Sequence, residues 1–282
     1  MLWPILSAVS ESFATVTDKF NLNSNKINGK IFTSLLFLFM GLVSIPLLYF
    51  FKAGDEAFTL FPLIILVFII IGSAVQNILF YIGLENKNLS HIEPIRNSEP
   101  ILVILIAFLV YPSERNLFVF ILGMITTLAI IYSHMEKNKR KQIKIIFDKF
   151  TFFVLGSMFI SALLNVGYKY ILKYYSPFSL YVIRAISVGI LLLLIFRPKI
   201  KLVTKKQVSL FTFSALLYSA AAIFQYISIS RIGISITILL LSLSPSIVYI
   251  LSMLLLKEKL SKNKIISSVI IISCAVAAVV LL

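Results

Sequence analysis

Charged residues, cysteine and histidine are all scarce in this sequence of 282 residues. Only 13% of the residues are charged and 60% are hydrophobic, whereas soluble domains average about 25% charged and about 45–50% apolar. A soluble fold of this length cannot cover so much apolar surface, because the buried fraction rises only slowly with chain length. The composition therefore excludes a soluble enzyme and a nucleic-acid-binding protein, and it indicates a protein whose solvent is the lipid bilayer.

The few cysteines and histidines exclude further classes of protein. Cys274 is the single cysteine, so an internal disulfide is excluded. The two histidines, His91 and His134, lie in different apolar segments without the spacing of a metal-binding pair, so we expect no metal and no cofactor. The sequence also contains no nucleophile-elbow or phosphate-loop glycine motif, and we expect no catalytic set.

The apolar residues that are present fall into ten segments of membrane-spanning length. A spanning helix needs about 20 mostly apolar residues, and in lipid such a segment must satisfy its backbone hydrogen bonds internally. The first segment is the most polar, because it carries Glu11 and Asp18. The predicted spans are Leu2–Phe20, Ile31–Phe51, Leu60–Leu84, Leu89–Tyr111, Leu117–His134, Phe150–Leu172, Pro177–Phe196, Ser209–Ser230, Ile232–Leu256 and Ile265–Leu282.

An internal repeat relates the two halves of the chain. An offset of 145 residues aligns YIGLENKNLS (81–90) with YISISRIGIS (226–235) and places Pro100 over Pro245. Five spans in each half give the halves opposite orientations, which is the inverted repeat of many secondary transporters. We therefore predict an all-α integral membrane protein of ten transmembrane helices in two inverted five-helix repeats, residues 1–134 and 150–282, joined by a basic linker at 135–149.

Three segments resemble a known family. SEPILVILIAFLVYPSER (98–115) and SPSIVYILSMLLLKEKL (244–260) are similar to the two signatures of the EamA-like branch of the drug/metabolite transporter superfamily, and PFSLYVIRA (177–185) is similar to the start of the second helix of its repeat. The first half departs from this pattern, because no arginine there matches Arg184. The resemblance implies a ten-helix transporter that moves small metabolites through a central cavity by alternating access.

The fourth span carries an unusual group of ionisable residues. On a helix, Glu93, Arg96 and Asn97 fall within an arc of about 100°, and Glu99 lies about 60° beyond Arg96. Arg96 can therefore pair with Glu93 or with Glu99. One interpretation is a polar wall of the substrate cavity, with Arg96 binding a carboxylate or phosphate. The alternative for Glu93 is a capping box with Ser90 at the start of the helix.

Pro100 and Pro245 are candidate hinges. Each proline removes one hydrogen bond from its helix, and corresponding proline breaks in both halves of a transporter point to its binding site. The alternative is a simple kink that packing tolerates. Ser242, beside the second break, is a candidate substrate ligand, although its hydroxyl can equally bond a freed backbone carbonyl.

Polar residues inside other spans complete the candidate substrate-binding set. Three of these residues are amides, which can instead form hydrogen bonds between helices. Two are tyrosines, which can instead anchor the helix ends at the membrane interface. The resemblance assigns no role to Arg184, whose side chain can simply extend to the membrane interface. The additional candidates are Asn77, Tyr81, Asn165, Gln225 and Tyr226.

We expect a secondary transporter or facilitator that exports a small polar organic solute, such as an amino acid or related metabolite. The expected location is the plasma membrane, and the expected partners are the solute and membrane lipid. The sequence leaves open whether the protein forms a homodimer. Glu99 or Glu93 can couple transport to protons if burial favours its protonated form, and uncoupled exchange is the alternative. Two other functions stay open: an auxiliary flippase for lipid-linked sugars and an intramembrane enzyme.

Lysine and arginine are distributed unevenly between the two sides that ten spans define. Nineteen lie on the side of the 135–149 linker and five on the side of the termini. Basic residues are retained in cytoplasmic loops, which also accounts for the net charge of +15 without nucleic acid. The count predicts termini outside the cytoplasm, whereas members of the resembling family are drawn with cytoplasmic termini.

The topology prediction can be measured in cells. A reporter that fluoresces only in the cytoplasm, fused after Leu282, should leave cells dark, because the charge bias places that end outside. The same reporter inserted in the 135–149 linker should fluoresce and serves as the control. Bright cells from the C-terminal fusion would contradict the charge count and favour the orientation of the family.

Overall fold

The computed structural model describes residues 2–23, 29–86, 98–133, 149–198, 205–256 and 261–280. Within these ranges the chain is helical, apart from short connections and one isolated antiparallel bridge between Ala53 and Tyr175. The helices are α1 (Leu2–Asn23), α2 (Gly29–Ser44), α3 (Leu60–Asn86), α4 (Glu99–Val110), α5 (Leu117–Ser133), α6 (Lys149–Ile171), α7 (Pro177–Phe196), α8 (Lys205–Ile232), α9 (Ile234–Leu241), α10 (Ser244–Leu256) and α11 (Lys262–Val280).

The helices have the lengths and compositions of membrane spans. In the described ranges, seven are long and apolar enough to cross a bilayer, and Glu99–Val110 and Leu117–Ser133 are shorter apolar helices. One of the seven combines α9 and α10 as Ile234–Leu254. The polar first segment is helical over 22 residues but is not among the seven. The protein is therefore an all-helical integral membrane protein.

The two halves of the chain contact each other reciprocally. Helix α1 packs against α8 of the second half, and α6 packs against α3 of the first. Likewise α1 contacts α10, and α6 contacts α4. Two further large contacts join equivalent helices directly, α2 with α7 and α5 with α11, and α2 also packs against α8. Each half therefore completes the packing of the other.

The contact of α2 with α7 is built on two glycines. A Cβ placed on Gly41 would lie 3.6 Å from the carbonyl oxygen of Ala185, and one placed on Gly189 would lie 3.0 Å from that of Phe37. The two contacts are equivalent, because Ala185 lies four residues before Gly189 and Phe37 lies four residues before Gly41. Small residues allow such close approach of helix backbones in membranes, where packing contacts rather than hydrophobic burial drive association. The two halves are therefore in close backbone contact at this crossing.

Loops on one side of the bundle also join the halves. The N–H of Ser176 donates to the carbonyl of Lys52 at 3.0 Å, and the N–H of Gly54 donates to the carbonyl of Tyr174 at 2.8 Å. The Ser179 hydroxyl contacts both backbone groups of Lys52. The connection after α2 therefore lies on the same side as the connection between α6 and α7, as the ten-span assignment expects.

A described helix begins one residue before each candidate hinge proline. Helix α9 ends at Leu241, a turn follows, and α10 begins at Ser244, which places Pro245 in its first turn. Helix α4 begins at Glu99, which places Pro100 in its first turn. Ile234–Leu254 is one span with the break between α9 and α10 inside it, and proline lacks the N–H that would bond the Leu241 carbonyl. Arg96, four residues before Pro100, lies outside the described residues. The expected loss of one helical hydrogen bond at each proline therefore stays a prediction. Whether the breaks act as hinges stays a prediction.

Alanine at the two crossing glycines should have opposite effects on stability. Gly189→Ala should lower the free energy of unfolding by about 1–3 kcal/mol, since its Cβ meets backbone that cannot rotate away. Gly41→Ala is the matched control and should be neutral or stabilising by up to about 1 kcal/mol, because its Cβ has ordinary contact distances and alanine favours helix. Thermal unfolding in detergent measures both, and equal behaviour of the two variants would contradict this account of the crossing.

Candidate solute-binding site

One face of α6 is polar through the second half of the helix. Ser161, Asn165 and Lys169 follow each other at intervals of four residues, so their side chains lie on the same face. The exposed fraction is 8% for Ser161 and 6% for Asn165, and 19% for the Lys169 side chain. Buried polar groups in a membrane protein need partners. Here Glu99, at the start of α4, and Glu114, in the connection that follows α4, supply them.

Glu99, the first residue of α4, bonds Ser161 and Asn165 of this face. The Ser161 hydroxyl donates to Glu99 Oε1 at 2.5 Å, and the Asn165 amide nitrogen approaches the same oxygen at 3.4 Å. Ser98, just before, donates to the Met158 sulfur at 3.3 Å. The carboxylate of the first half is therefore held by the first helix of the second half. Glu99 and Asn165, two candidate site residues from different halves, therefore lie next to each other.

Asn165 extends the contact to a third helix. The Gln225 amide nitrogen on α8 donates to Asn165 Oδ1 at 2.8 Å, while the Asn165 amide nitrogen also donates to the Ser161 carbonyl at 3.0 Å. The result is a chain of hydrogen bonds from Glu99 through Asn165 to Gln225, which we name the central relay. A carboxylate and two amides can exchange these partners for the N–H and O–H groups of a polar solute.

A group of tyrosines around Arg184 lies one helical turn from the relay. Arg184 on α7 donates to the Tyr226 hydroxyl, and its guanidinium lies over the Tyr168 ring, 5.4 Å from the centroid. The rings of Tyr168 and Tyr226 are 4.9 Å apart, and both residues are buried. Tyr226 follows Gln225, and Tyr168 lies three residues after Asn165. We name these three residues the arginine cluster.

The arginine cluster changes two interpretations from the sequence. Tyr226 has no exposed surface and bonds Arg184, so it is a core residue of the bundle and not an interface anchor. Arg184 points toward the tyrosines of α6 and α8 and does not extend to the end of α7. Next to the cluster, the buried Tyr181 bonds the Ser219 hydroxyl at 2.5 Å.

The other predicted site residues have different positions. Asn77 donates to the Ser73 carbonyl of its own helix at 2.7 Å, and Ser242 donates to the Ile238 carbonyl at 3.0 Å, which is the backbone role left open for it. Tyr81 lies in α3, but its side chain is outside the described part of the structure. Three further predictions, Glu93, Arg96 and Asn97, also lie outside the described residues.

Sequence reasoning overlooked Ser161 and Tyr168, although both lie on the face of α6 that Asn165 marks. The interval of four residues between Ser161, Asn165 and Lys169 was the available signal. It was overlooked because serine and tyrosine are common in apolar helices, and because nothing in the sequence of α6 indicates that Glu99 lies opposite.

The partners of the polar first helix were also not foreseen. The Ser214 hydroxyl donates to Asp18 Oδ1 at 2.8 Å, and the Tyr218 hydroxyl donates to Asp18 Oδ2 at 2.9 Å. The Ser12 hydroxyl contacts the carbonyl and the hydroxyl oxygen of Ser244 at 3.1 and 3.0 Å. These bonds join α1 to α8 and α10, so the polar residues of α1 face the second half of the bundle.

Glu114 joins the far end of α4 to two elements of the second half. Its carboxylate accepts the N–H groups of Ile234 and Ser235, both at 2.9 Å, and forms a salt bridge with Lys169. Gly233 precedes this helix start with a φ of 88°, and a Cβ there would lie 2.5 Å from Glu114 Oε1. Glu114 therefore caps α9 from outside, and the close approach requires glycine.

Helices of membrane-spanning length and buried polar side chains between two halves define the class: an integral membrane protein of the transporter type. The chain belongs to the EamA-like transporter family, whose family model matches residues 1–134 and residues 149–280. The two matches are two repeats of the family unit. They confirm the resemblance to drug/metabolite transporters, and the family is one of transporters.

A solved crystal structure has the same fold. It superimposes with a TM-score of 0.83 over 99% of this chain and 96% of the other, at 12% sequence identity. At this identity the likeness concerns the fold alone. No curated protein matches the sequence.

The Glu114 contacts predict acid sensitivity. Burial alone would raise the pKa of Glu114, but the bonds from Lys169, Ser235 and Ile234 outweigh it, and the pKa is lowered from 4.5. A lowered folded pKa contributes stability that is present above the unfolded value of 4.5 and is lost as the pH falls through the folded pKa. Glu114→Gln breaks a buried pair and should therefore lower the free energy of unfolding by about 3 kcal/mol at pH 7. The difference from the wild type should be smaller below pH about 4, where the wild-type carboxylate itself becomes protonated.

Thermal unfolding in detergent between pH 3 and pH 7 measures this difference. Glu56→Gln is the matched control, because Glu56 is exposed in the connection between α2 and α3. A melting temperature of Glu114→Gln that follows the wild type at every pH would show that the cap contributes nothing to stability.

Proposed function

We propose that this protein is a secondary transporter that carries a small polar organic solute across the plasma membrane by alternating access. Its ten spans form two five-helix repeats of opposite orientation, and the solute and bilayer lipid are its partners. Export of an amino acid or related metabolite is the activity that the family resemblance favours. The solute crosses without chemical change.

The reciprocal packing of the halves supports the inverted repeat. Ser161 of α6 bonds Glu99 at the start of α4, and Ser12 of α1 bonds Ser244 at the start of α10. Glu99 and Ser244 each directly precede one of the two prolines that the 145-residue offset aligns. In each case a serine on the first helix of one half bonds the residue before the aligned proline of the other half. Such reciprocal contacts are expected of two repeats that rock against each other around a shared site.

The central relay is the observation that carries the proposal. Polar side chains inside membrane helices are costly and mark solute pathways. The relay places a carboxylate from one repeat against two amides from the other, so relative motion of the repeats makes and breaks these bonds. The helix breaks before Pro100 and Pro245 leave the neighbouring backbone free to change direction. We propose that solute replaces part of the relay when the repeats separate.

Flux measurements with relay variants test the proposal. Glu99→Gln and Asn165→Ala should each lower solute exchange in proteoliposomes at least tenfold, because the first removes the charge at nearly constant shape and the second interrupts the relay. The assay follows a mixture of labelled amino acids, and mass spectrometry checks that they leave unchanged. Glu56→Gln, the same substitution at an exposed residue, is the control.

Two outcomes would contradict the proposal. Wild-type flux in both relay variants would show that the relay only packs the helices together. Chemical conversion of the solute by the wild type, lost in Glu99→Gln, would indicate an intramembrane enzyme instead.

A further inference from the structure

We propose that the arginine cluster is a carboxylate-binding subsite, so that the transported solute carries a single carboxylate group. In this site Arg184 binds the carboxylate, while Tyr226 and Tyr168 hold the guanidinium in place. The inference rests on the proposed function, since it names the class of solute that the site would take. It depends on the burial, the contacts and the charge balance of Arg184.

Arg184 lies well inside its span. It is seven residues after Pro177, the first residue of α7, which corresponds to about 10 Å along the helix. Tyr226 is fully buried and Tyr168 is 5% exposed, so the guanidinium is held among buried rings from α6 and α8. A charged group at such a position is energetically costly, and it is retained where it pairs with another charge or serves the solute pathway.

Arg184 has no acidic partner in the part of the chain that the structure describes. Its contacts there are the Tyr226 hydroxyl and the face of the Tyr168 ring, both uncharged. Lys169, which lies on α6 near the end of the same polar face, is paired with Glu114. Among the described residues, Lys169 therefore has a carboxylate partner and Arg184 has none.

The unused donors of Arg184 fit a carboxylate. A guanidinium carries five N–H donors in a planar fork, and one bond to Tyr226 leaves a pair of parallel donors for two carboxylate oxygens. A single positive charge balances a carboxylate, whereas a phosphate carries about −1.5 to −2 charges at pH 7 and would stay partly uncompensated. The site therefore favours a carboxylate over a phosphate.

The neighbouring relay gives the rest of the solute a place. Tyr168 and Asn165 lie one turn apart on α6, and Tyr226 and Gln225 are adjacent on α8. A solute bound to Arg184 by its carboxylate can therefore present N–H or O–H groups to the amides and to Glu99. The cluster and the relay are two parts of one binding site.

A purely structural role for Arg184 predicts different behaviour. If the guanidinium only braces α6 and α8 through the two tyrosines, its removal should lower stability in the absence of solute and should affect all solutes equally. If it is an uncompensated charge kept for a carboxylate, Arg184→Met should be at least as stable as the wild type without solute. Arg184→Met should then lose the thermal stabilisation by carboxylates, while its behaviour with other solutes stays unchanged.

Ligand-induced thermal stabilisation of the purified protein in detergent separates these possibilities. The probes are a mixture of amino acids, a mixture of short monocarboxylic acids, the corresponding amides and inorganic phosphate. Carboxylates should raise the melting temperature of the wild type, and the amides and phosphate should not. Arg184→Met should weaken the carboxylate response at least tenfold in concentration. Arg231→Met is the matched control, since Arg231 also lies over an aromatic ring, that of Trp3, but is exposed at the end of α8.

Arg184→Lys keeps the test decisive if Arg184→Met does not fold. Lysine keeps the charge but not the planar fork, so a folded Arg184→Lys protein should also bind carboxylates at least tenfold more weakly. Wild-type carboxylate affinity in folded Arg184→Lys would overturn the proposal. Equal stabilisation of wild type and Arg184→Met, stabilisation by phosphate or amides in place of carboxylates, or no response of the wild type to any carboxylate would each overturn it as well.

The binding assay distinguishes this inference from the proposed function. Absence of flux for every solute, together with carboxylate stabilisation that depends on Arg184, would refute transport and leave the subsite intact. Flux of amides as fast as that of the parent acids, equally in wild type and Arg184→Met, would refute the subsite and leave transport intact.

Discussion

The close crossing of α2 and α7 is the constraint on which the arrangement of the bundle depends. Gly189 lies against the Phe37 carbonyl, and Gly41 lies against the Ala185 carbonyl, so neither helix can shift without the other. In lipid, apolar side chains gain little by leaving the bilayer, and close backbone packing must hold helices together. With this contact fixed, α1 and α3 reach α8 and α6 of the other half, and the polar residues of the site are brought together.

Helix α6 then becomes the element that both halves share. It belongs to the second repeat by sequence, yet its polar face bonds two carboxylates of the first repeat: Glu99 at the start of α4, and Glu114 in the connection after α4. The described partners differ in chemistry. Among the described residues, a hydroxyl and an amide bond Glu99, whereas a cation and two backbone N–H groups bond Glu114. The Glu114 contacts therefore fix the start of α9 against α6.

Much of the architecture could be predicted from the sequence, because hydropathy and repetition report directly on spans and halves. The described helices overlap the apolar segments of the sequence, and the family match confirms the resemblance that residues 98–115 and 244–260 carry. The partners of the polar residues could not be predicted in the same way. Glu99 was assigned to a cavity wall beside Arg96, while its described partners Ser161 and Asn165 lie more than sixty positions away. Likewise, nothing near Arg184 in sequence indicates that Tyr168 and Tyr226 surround it.

The cap of α9 by Glu114 has a consequence for biosynthesis. Glu114 and the N–H group of Ile234 are separated by 120 residues, so the carboxylate leaves the ribosome long before the helix end that it binds. Until α9 is inserted, its backbone partners are missing, and α9 in turn begins without a cap of its own. The first repeat must therefore wait in the membrane as an incomplete intermediate. A chain truncated after α8 would leave Glu114 with Lys169 alone, exposed to the quality-control machinery that recognises polar groups left in lipid.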